Sequence, residues 1–143
     1  MTPVNKQFNA TKEELPDILE WVETKTSELL PLSLAMKLQL AAEEAIVNVI
    51  NYAYNDAADR PIILSFNKNK DCIYLEIADK GIPFNPLKNI NVDRCAPLEK
   101  RVPGGWGREF IVKMTSAVKY EYRNNTNILR LEINPADFAE LSV

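Results

Sequence analysis

Residues 73–84 read Ile73-Tyr74-Leu75-Glu76-Ile77-Ala78-Asp79-Lys80-Gly81-Ile82-Pro83-Phe84, and their pattern changes halfway. The first half alternates with period two, the signature of a strand with one covered face. Ile73, Leu75 and Ile77 share the inward phase, and Asp79 continues it, so a carboxylate is expected on the buried face at the strand's end. A carboxylate left unpaired there would be costly, so Asp79 needs a donor partner. Ile82-Pro83 then keeps the chain from pairing at once as another strand. An ordinary type I′ turn over Asp79-Lys80-Gly81 is the competing reading.

Upstream, Ile62, Leu64 and Phe66 alternate in the same way after Pro61, and the Asn67 to Asp71 turn joins the two runs into a hairpin. Before it, apolar residues recur with helical period: Leu38, Ala42, Ala45, Val49 and Tyr52 form one face, widened by Leu34, Ile46 and Ile50. This predicts a helix from a Ser33 cap to about Tyr54. Residues four apart stack on a helix, so Lys37, Glu44, Asn48, Asn51 and Asn55 form a polar stripe facing water or a ligand. An earlier helix opens with the Thr11/Glu14 capping box and stops near Leu30 before Pro31, and residues 3–10 suit an edge strand.

Downstream, residues 84–103 hold Pro86, Pro97 and Pro103 without periodicity, a loop of lid length, with Arg94, Lys100 and Arg101 at its basic end. Gly104-Gly105-Trp106-Gly107 opens a helix carrying Phe110, Ile111 and Met114. A final hairpin pairs Val118-Tyr120-Tyr122 with Leu129-Leu131-Ile133 across an Asn-rich turn. The sum is one domain over 1–143, an α+β two-layer sandwich with helices on one face of a mixed, mostly antiparallel sheet and a lid over about 84–104.

Composition narrows the chemistry. With 143 residues, 46% hydrophobic and 26% charged, the chain can bury an ordinary core. A net charge of −3 argues against nucleic acid as a partner. No apolar run has bilayer length and Met1 to Ala10 lacks the features of a signal peptide, so a cytoplasmic location and no membrane contact are expected. Cys72 and Cys95 fit neither a disulfide framework nor a zinc site and read as free thiols. There is no histidine, which removes histidine-dependent nucleophilic catalysis and His-ligated metals and leaves acid-base work to carboxylates.

All four glycines fall in the two segments around Gly81 and Gly104–Gly107, so bare backbone is needed at both. Glu44 and Asn48, one helical turn apart, aim a carboxylate and a neutral oxygen donor into one cleft. Mg²⁺ takes one or two protein oxygens while phosphates and waters supply the rest, which suits Asn48. Glu44 could orient or deprotonate an attacking hydroxyl or water. Asp79 can accept a hydrogen bond from an exocyclic amine, and Gly81 would let a base lie against the chain. Amides of Gly104, Gly105 and Gly107 at a helix start can cradle phosphate oxygens.

The ordered set Glu43-Glu44-Ala45-Ile46-Val47-Asn48, Asp79-Lys80-Gly81-Ile82-Pro83-Phe84 and Gly104-Gly105-Trp106-Gly107 resembles the Bergerat-fold (GHKL) ATPases. It looks most like the bacterial anti-sigma-factor serine/threonine kinases. The resemblance runs over essentially the whole chain. It implies ATP with Mg²⁺, phosphorylation of a Ser or Thr on a STAS-type antagonist, sequestration of a sigma factor, and a homodimer. Glu44 is then the base and Asn48 the metal ligand. The nucleotide-binding set is Asn48, Asp79, Gly81, Pro83, Phe84, Arg101, Gly104, Gly105, Trp106, Gly107 and Arg108. Trp106 can equally be a packing residue or a partner contact.

The family usually continues with apolar residues after the third glycine, where this chain has Arg108 and Glu109. Glu109 sets negative charge near the phosphate-binding helix start, and Arg108 could offset it or reach the γ-phosphate. The alternative function is therefore a non-catalytic, ATP-gated binding module in which these two residues have disabled transfer.

Overall fold

The two alternating runs form β2 (Pro61–Asn69) and β3 (Cys72–Asp79), turning through Lys70 in the left-handed region at φ 56°. The computed structural model describes residues 3–55, 58–87 and 107–142. An edge strand, β1 (Val4–Asn9), pairs with β2, as expected for residues 3–10. The closing hairpin is β4 (Ala117–Arg123) and β5 (Thr126–Ile133), and the sheet runs β1-β2-β3-β5-β4. Every pairing among the described residues is antiparallel, so the mixed sheet that the sequence suggests is corrected. Both hairpins close with two-residue turns, which allow no other direction.

Among the described residues, three α-helices cover one face: α1 (Leu15–Leu29), α2 (Leu32–Asn48) and α3 (Gly107–Met114). Leu38, Ile46, Leu64, Phe66, Leu75 and Leu131 meet between the layers with no exposed surface. Phe8 and Phe66 flank Trp21 of α1, with ring centroids 6.3 and 5.4 Å away, which locks the edge strand under that helix. Gln39 of α2 donates to the buried Thr26 hydroxyl of α1 at 2.7 Å, tying the two helices together.

Helix starts differ from the sequence reading. Thr11 Oγ1 accepts the Glu14 N–H at 3.3 Å, but Glu14 accepts from Asn9, not Thr11, at 3.2 Å. The capping pair therefore closes a preceding turn, and the helix begins at Leu15. Pro31, not Ser33, occupies the N-cap of α2, because its extended ψ of 154° sets the entry and its carbonyl takes the Ala35 N–H at 2.8 Å. Ser33 lies exposed in the first turn.

The larger correction is at the other end of α2, where the α-helix stops at Asn48 and a π turn, Val49–Ala53, carries the chain to Tyr54. Such a turn inserts an extra residue and rotates the side chains after it about the helix axis. Tyr52 is half-buried and outside the core, Val49 is half-buried but still packs against it, and Ala53 is buried. The polar stripe is broken as well: Asn48 is buried, Glu44 half-buried, Asn51 and Asn55 exposed, and Lys37 sits 5.3 Å over the Phe138 ring. A 3-10 segment, Pro135–Ser142, follows β5 and has no counterpart in the sequence reading.

Candidate functional site

Asp79 arrives where its phase requires, at the buried end of β3, with 6% of its surface exposed. Its donor partners are the Gly81 N–H and the Asn127 side-chain amide, both 2.9 Å from Oδ1. Burial pushes its pKa above the usual carboxylate range, with the Asn127 and Gly81 bonds opposing that shift. Oδ2 makes neither bond and is the oxygen that a further donor would meet.

Neither Lys80 nor Gly81 has a positive φ, so the type I′ reading of this turn is set aside. A Cβ on Gly81 would lie 2.1 Å from the Ala53 carbonyl oxygen and 2.6 Å from its Cβ. The bare backbone expected there is required by the end of the π turn, which also takes the Ile82 N–H on the Ala53 carbonyl at 2.9 Å. Tyr54 strengthens this junction by accepting the Lys80 N–H at 2.7 Å and donating to the Pro61 carbonyl. Its phenol pKa is raised, first by burial and also by the negative charge of Asp79, with the Lys80 N–H opposing.

Asn48 from α2 and Asp79 from β3 line one cavity of about 30 Å³, whose wall also includes Phe84, Pro86, Tyr120, Asn127 and apolar residues of α2, the π turn, β3 and β5. That volume holds about one water molecule. Phe84 stacks on Tyr52 of the π turn at a centroid distance of 5.7 Å. Burial raises the Tyr120 phenol pKa, the Phe84 backbone bond lowers it, and Asp79 and Tyr122 raise it further. Two wider grooves, about 340 and 510 Å³, lie elsewhere and are lined by none of the sequence-predicted site residues.

Asn48, Asp79, Gly81 and Phe84 thus come together, with Pro83 in the same turn, while Glu44 stands one turn of α2 earlier at half exposure and outside the cavity wall. Gly107 and Arg108 begin α3. Arg101, Gly104, Gly105, Trp106, Cys95 and most of the expected lid lie outside the described residues. Cys72 is a free thiol.

Sequence reasoning missed Asn127, Tyr120 and the Ala53–Tyr54 junction. The signal for Asn127 was available: it extends the inward phase of Leu129, Leu131 and Ile133, as Asp79 extends that of β3. Its neighbour was not, because the β3·β5 pairing that sets Asp79 opposite Asn127 skips a strand in chain order.

An antiparallel sheet backed by helices on one face, with Asn48, Asp79 and Asn127 set in a small, mostly apolar cavity beside the end of α2, is the architecture of an ATPase-type α+β sandwich. The model of the histidine kinase-like ATPase domain matches residues 8–133, and the chain belongs to that family. It is 25% identical over 131 residues to the serine/threonine-protein kinase BtrW of Bordetella bronchiseptica, covering 91% of this chain and 92% of that one. It is 36% identical over 87 residues to the serine-protein kinase RsbW of Oceanobacillus iheyensis, which covers 57% of this chain and about half, 54%, of the relative.

Among solved structures, the RsbU and RsbW domains of Rv1364c from Mycobacterium tuberculosis match with a TM-score of 0.67 at 12% identity. That match covers 94% of this chain and only 32% of the longer one. A histidine kinase domain from the Erythrobacter litoralis EL346 blue-light activated histidine kinase matches with a TM-score of 0.58 at 13% identity, covering 90% and 63%. These two likenesses bear on the fold. Among the described residues no helix is long and apolar enough to cross a membrane.

Proposed function

We propose that this chain is an ATP-dependent protein serine/threonine kinase that phosphorylates a STAS-type anti-sigma-factor antagonist and, as a cytoplasmic homodimer, sequesters a sigma factor. The observation that carries the reading is the meeting of Asp79 and Asn48 on one cavity wall inside a histidine kinase-like ATPase domain. The kinase class is supported by the two relatives named as serine or serine/threonine kinases.

Asp79 accepts the exocyclic amine of adenine through Oδ2, between a turn shaped by Gly81 and Pro83 and the stacked Phe84. Because the cavity is about 30 Å³, a purine enters only when part of its wall moves outward. Asn48 offers one oxygen to Mg²⁺. A single protein donor suits an ion that phosphates and waters mostly coordinate, and the described residues hold no group of three acidic or thiol ligands. When bound, Mg·ATP supplies the γ-phosphoryl group and the charge neutralisation its transfer needs.

Glu44, one turn of α2 before Asn48, orients the incoming Ser or Thr hydroxyl and takes its proton. Arg101, Gly104, Gly105, Trp106, Gly107 and Arg108 are assigned to the phosphate side, where amides at the start of α3 favour negative charge. Incubation with labelled ATP and the cognate antagonist is expected to label the antagonist, and Glu44→Ala to abolish labelling while ATP still binds. Normal transfer by Glu44→Ala would remove Glu44 from the role of base.

Glu109 in the first turn of α3 favours a second reading, the ATP-gated module without transfer, because its charge opposes phosphate there. A mass spectrum of the antagonist after incubation separates the two: an added phosphate supports the kinase, and an unmodified antagonist held in an ATP-dependent complex supports the module.

A further inference from the structure

Asn127 is the first inward residue of β5, is 4% exposed, and lies directly opposite Asp79 in register. Its Nδ2 donates to Asp79 Oδ1 at 2.9 Å and to the Ile82 carbonyl at 2.8 Å, with a longer approach of 3.5 Å to the Gly81 carbonyl. Its Oδ1 accepts the Phe84 N–H at 3.1 Å and the Tyr120 hydroxyl. A side-chain amide has two N–H donors and one oxygen with two lone pairs, so these contacts use its whole capacity. The orientation is also determined, because the Phe84 N–H can only donate and must face Oδ1. Nδ2 is thereby turned toward Asp79.

We propose that Asn127 is a positioning residue for nucleobase selection, holding Asp79 so that Oδ2 accepts from a 6-amino purine and rejects a 6-oxo purine. The inference rests on the ATP reading above. With Gly81, Asn127 occupies Oδ1 from two directions and stops the carboxylate turning about its own axis. Its other bonds fix the Ile82–Phe84 turn that borders the same cavity, so carboxylate and turn share one anchor. A 6-oxo purine would set a carbonyl oxygen against Oδ2, two acceptors face to face, and a site built for a donor discriminates strongly against that exchange. Without Asn127 the carboxylate can rotate away, and the amine loses its acceptor while the rest of the nucleotide keeps its contacts.

The test compares ATP with ITP, which differ at the purine 6-position, by calorimetric titration with Mg²⁺ on the full chain. The native protein is expected to prefer ATP by at least about tenfold, the worth of one hydrogen bond to a charged group. Asn127→Leu should weaken ATP more than ITP and bring the preference close to unity. Asn127→Ser, which keeps a smaller donor and guards against a Leu variant that does not fold, should fall between. A thermal melt of each variant reports folding.

Equal weakening of ATP and ITP in the variants, or an unchanged ratio, would reduce Asn127 to a structural role and overturn the proposal. A native chain that binds both equally overturns it while leaving nucleotide binding intact. A native chain that binds neither overturns the ATP reading as well.

Discussion

Gly81 shows how a single missing side chain can have a packing reason beside the one its place in the sequence suggests. Its conspicuous place suggests ligand approach, yet the space a Cβ would need is filled by Ala53. Gly81→Ala is therefore expected to destabilise the fold by about 1–3 kcal/mol, the usual cost of overpacking, measured by denaturant unfolding. Asp79 carries the opposite expectation. Its pKa is raised, chiefly by burial, so the folded chain holds that proton more tightly than the unfolded chain. The associated stability is complete below the unfolded carboxylate value, about pH 4, and is lost as pH rises through the raised folded value. Asp79→Asn removes this dependence. The variant should be at least as stable as the native chain at neutral pH, with a flatter pH profile in urea melts. It should bind ATP at least about tenfold more weakly, because an amide N–H can be turned toward the adenine amine.

Secondary elements meet the site through their ends. The π turn after Asn48 is what brings Ala53 onto Gly81 and Tyr54 onto Lys80 and Pro61, so the cleft is clamped by a departure from regular helix. At the far end of the last hairpin, Asn124 and Asn125 both adopt positive φ, 54° and 58°, the conformation of a type I′ turn. Asparagine tolerates that region and glycine does so at less cost. Asn125→Gly should raise stability by up to about 1 kcal/mol in thermal unfolding, with ATP affinity unchanged because the register that places Asn127 is kept.

Across the whole molecule, helices and sheet share one apolar layer, and the candidate cleft lies at its margin. A ligand bound only by the native state then stabilises the whole layer. Mg·ATP at a hundred times its dissociation constant should add about 2.7 kcal/mol, a midpoint rise of roughly 5–10 °C for a domain of this size. At the same ATP concentration a tenfold weaker Asp79→Asn should show only about half of this, roughly 1.4 kcal/mol, while Asn125→Gly should show it in full. A native chain with no shift in Mg·ATP would contradict nucleotide binding at this cleft.

The amino-acid order alone settled the helices, the two hairpins, the inward phase of Asp79 and the need for glycine at position 81, because periodicity and backbone permissiveness are local properties written into neighbouring residues. It could not reach the π turn, the true starts of α1 and α2, or the bonds of Asn127. Those depend on which surfaces lie against each other once the chain is packed. Phase along a strand says which way a side chain points, whereas the strand order β3-β5-β4 supplies its neighbour, and that order follows from burying the shared apolar layer.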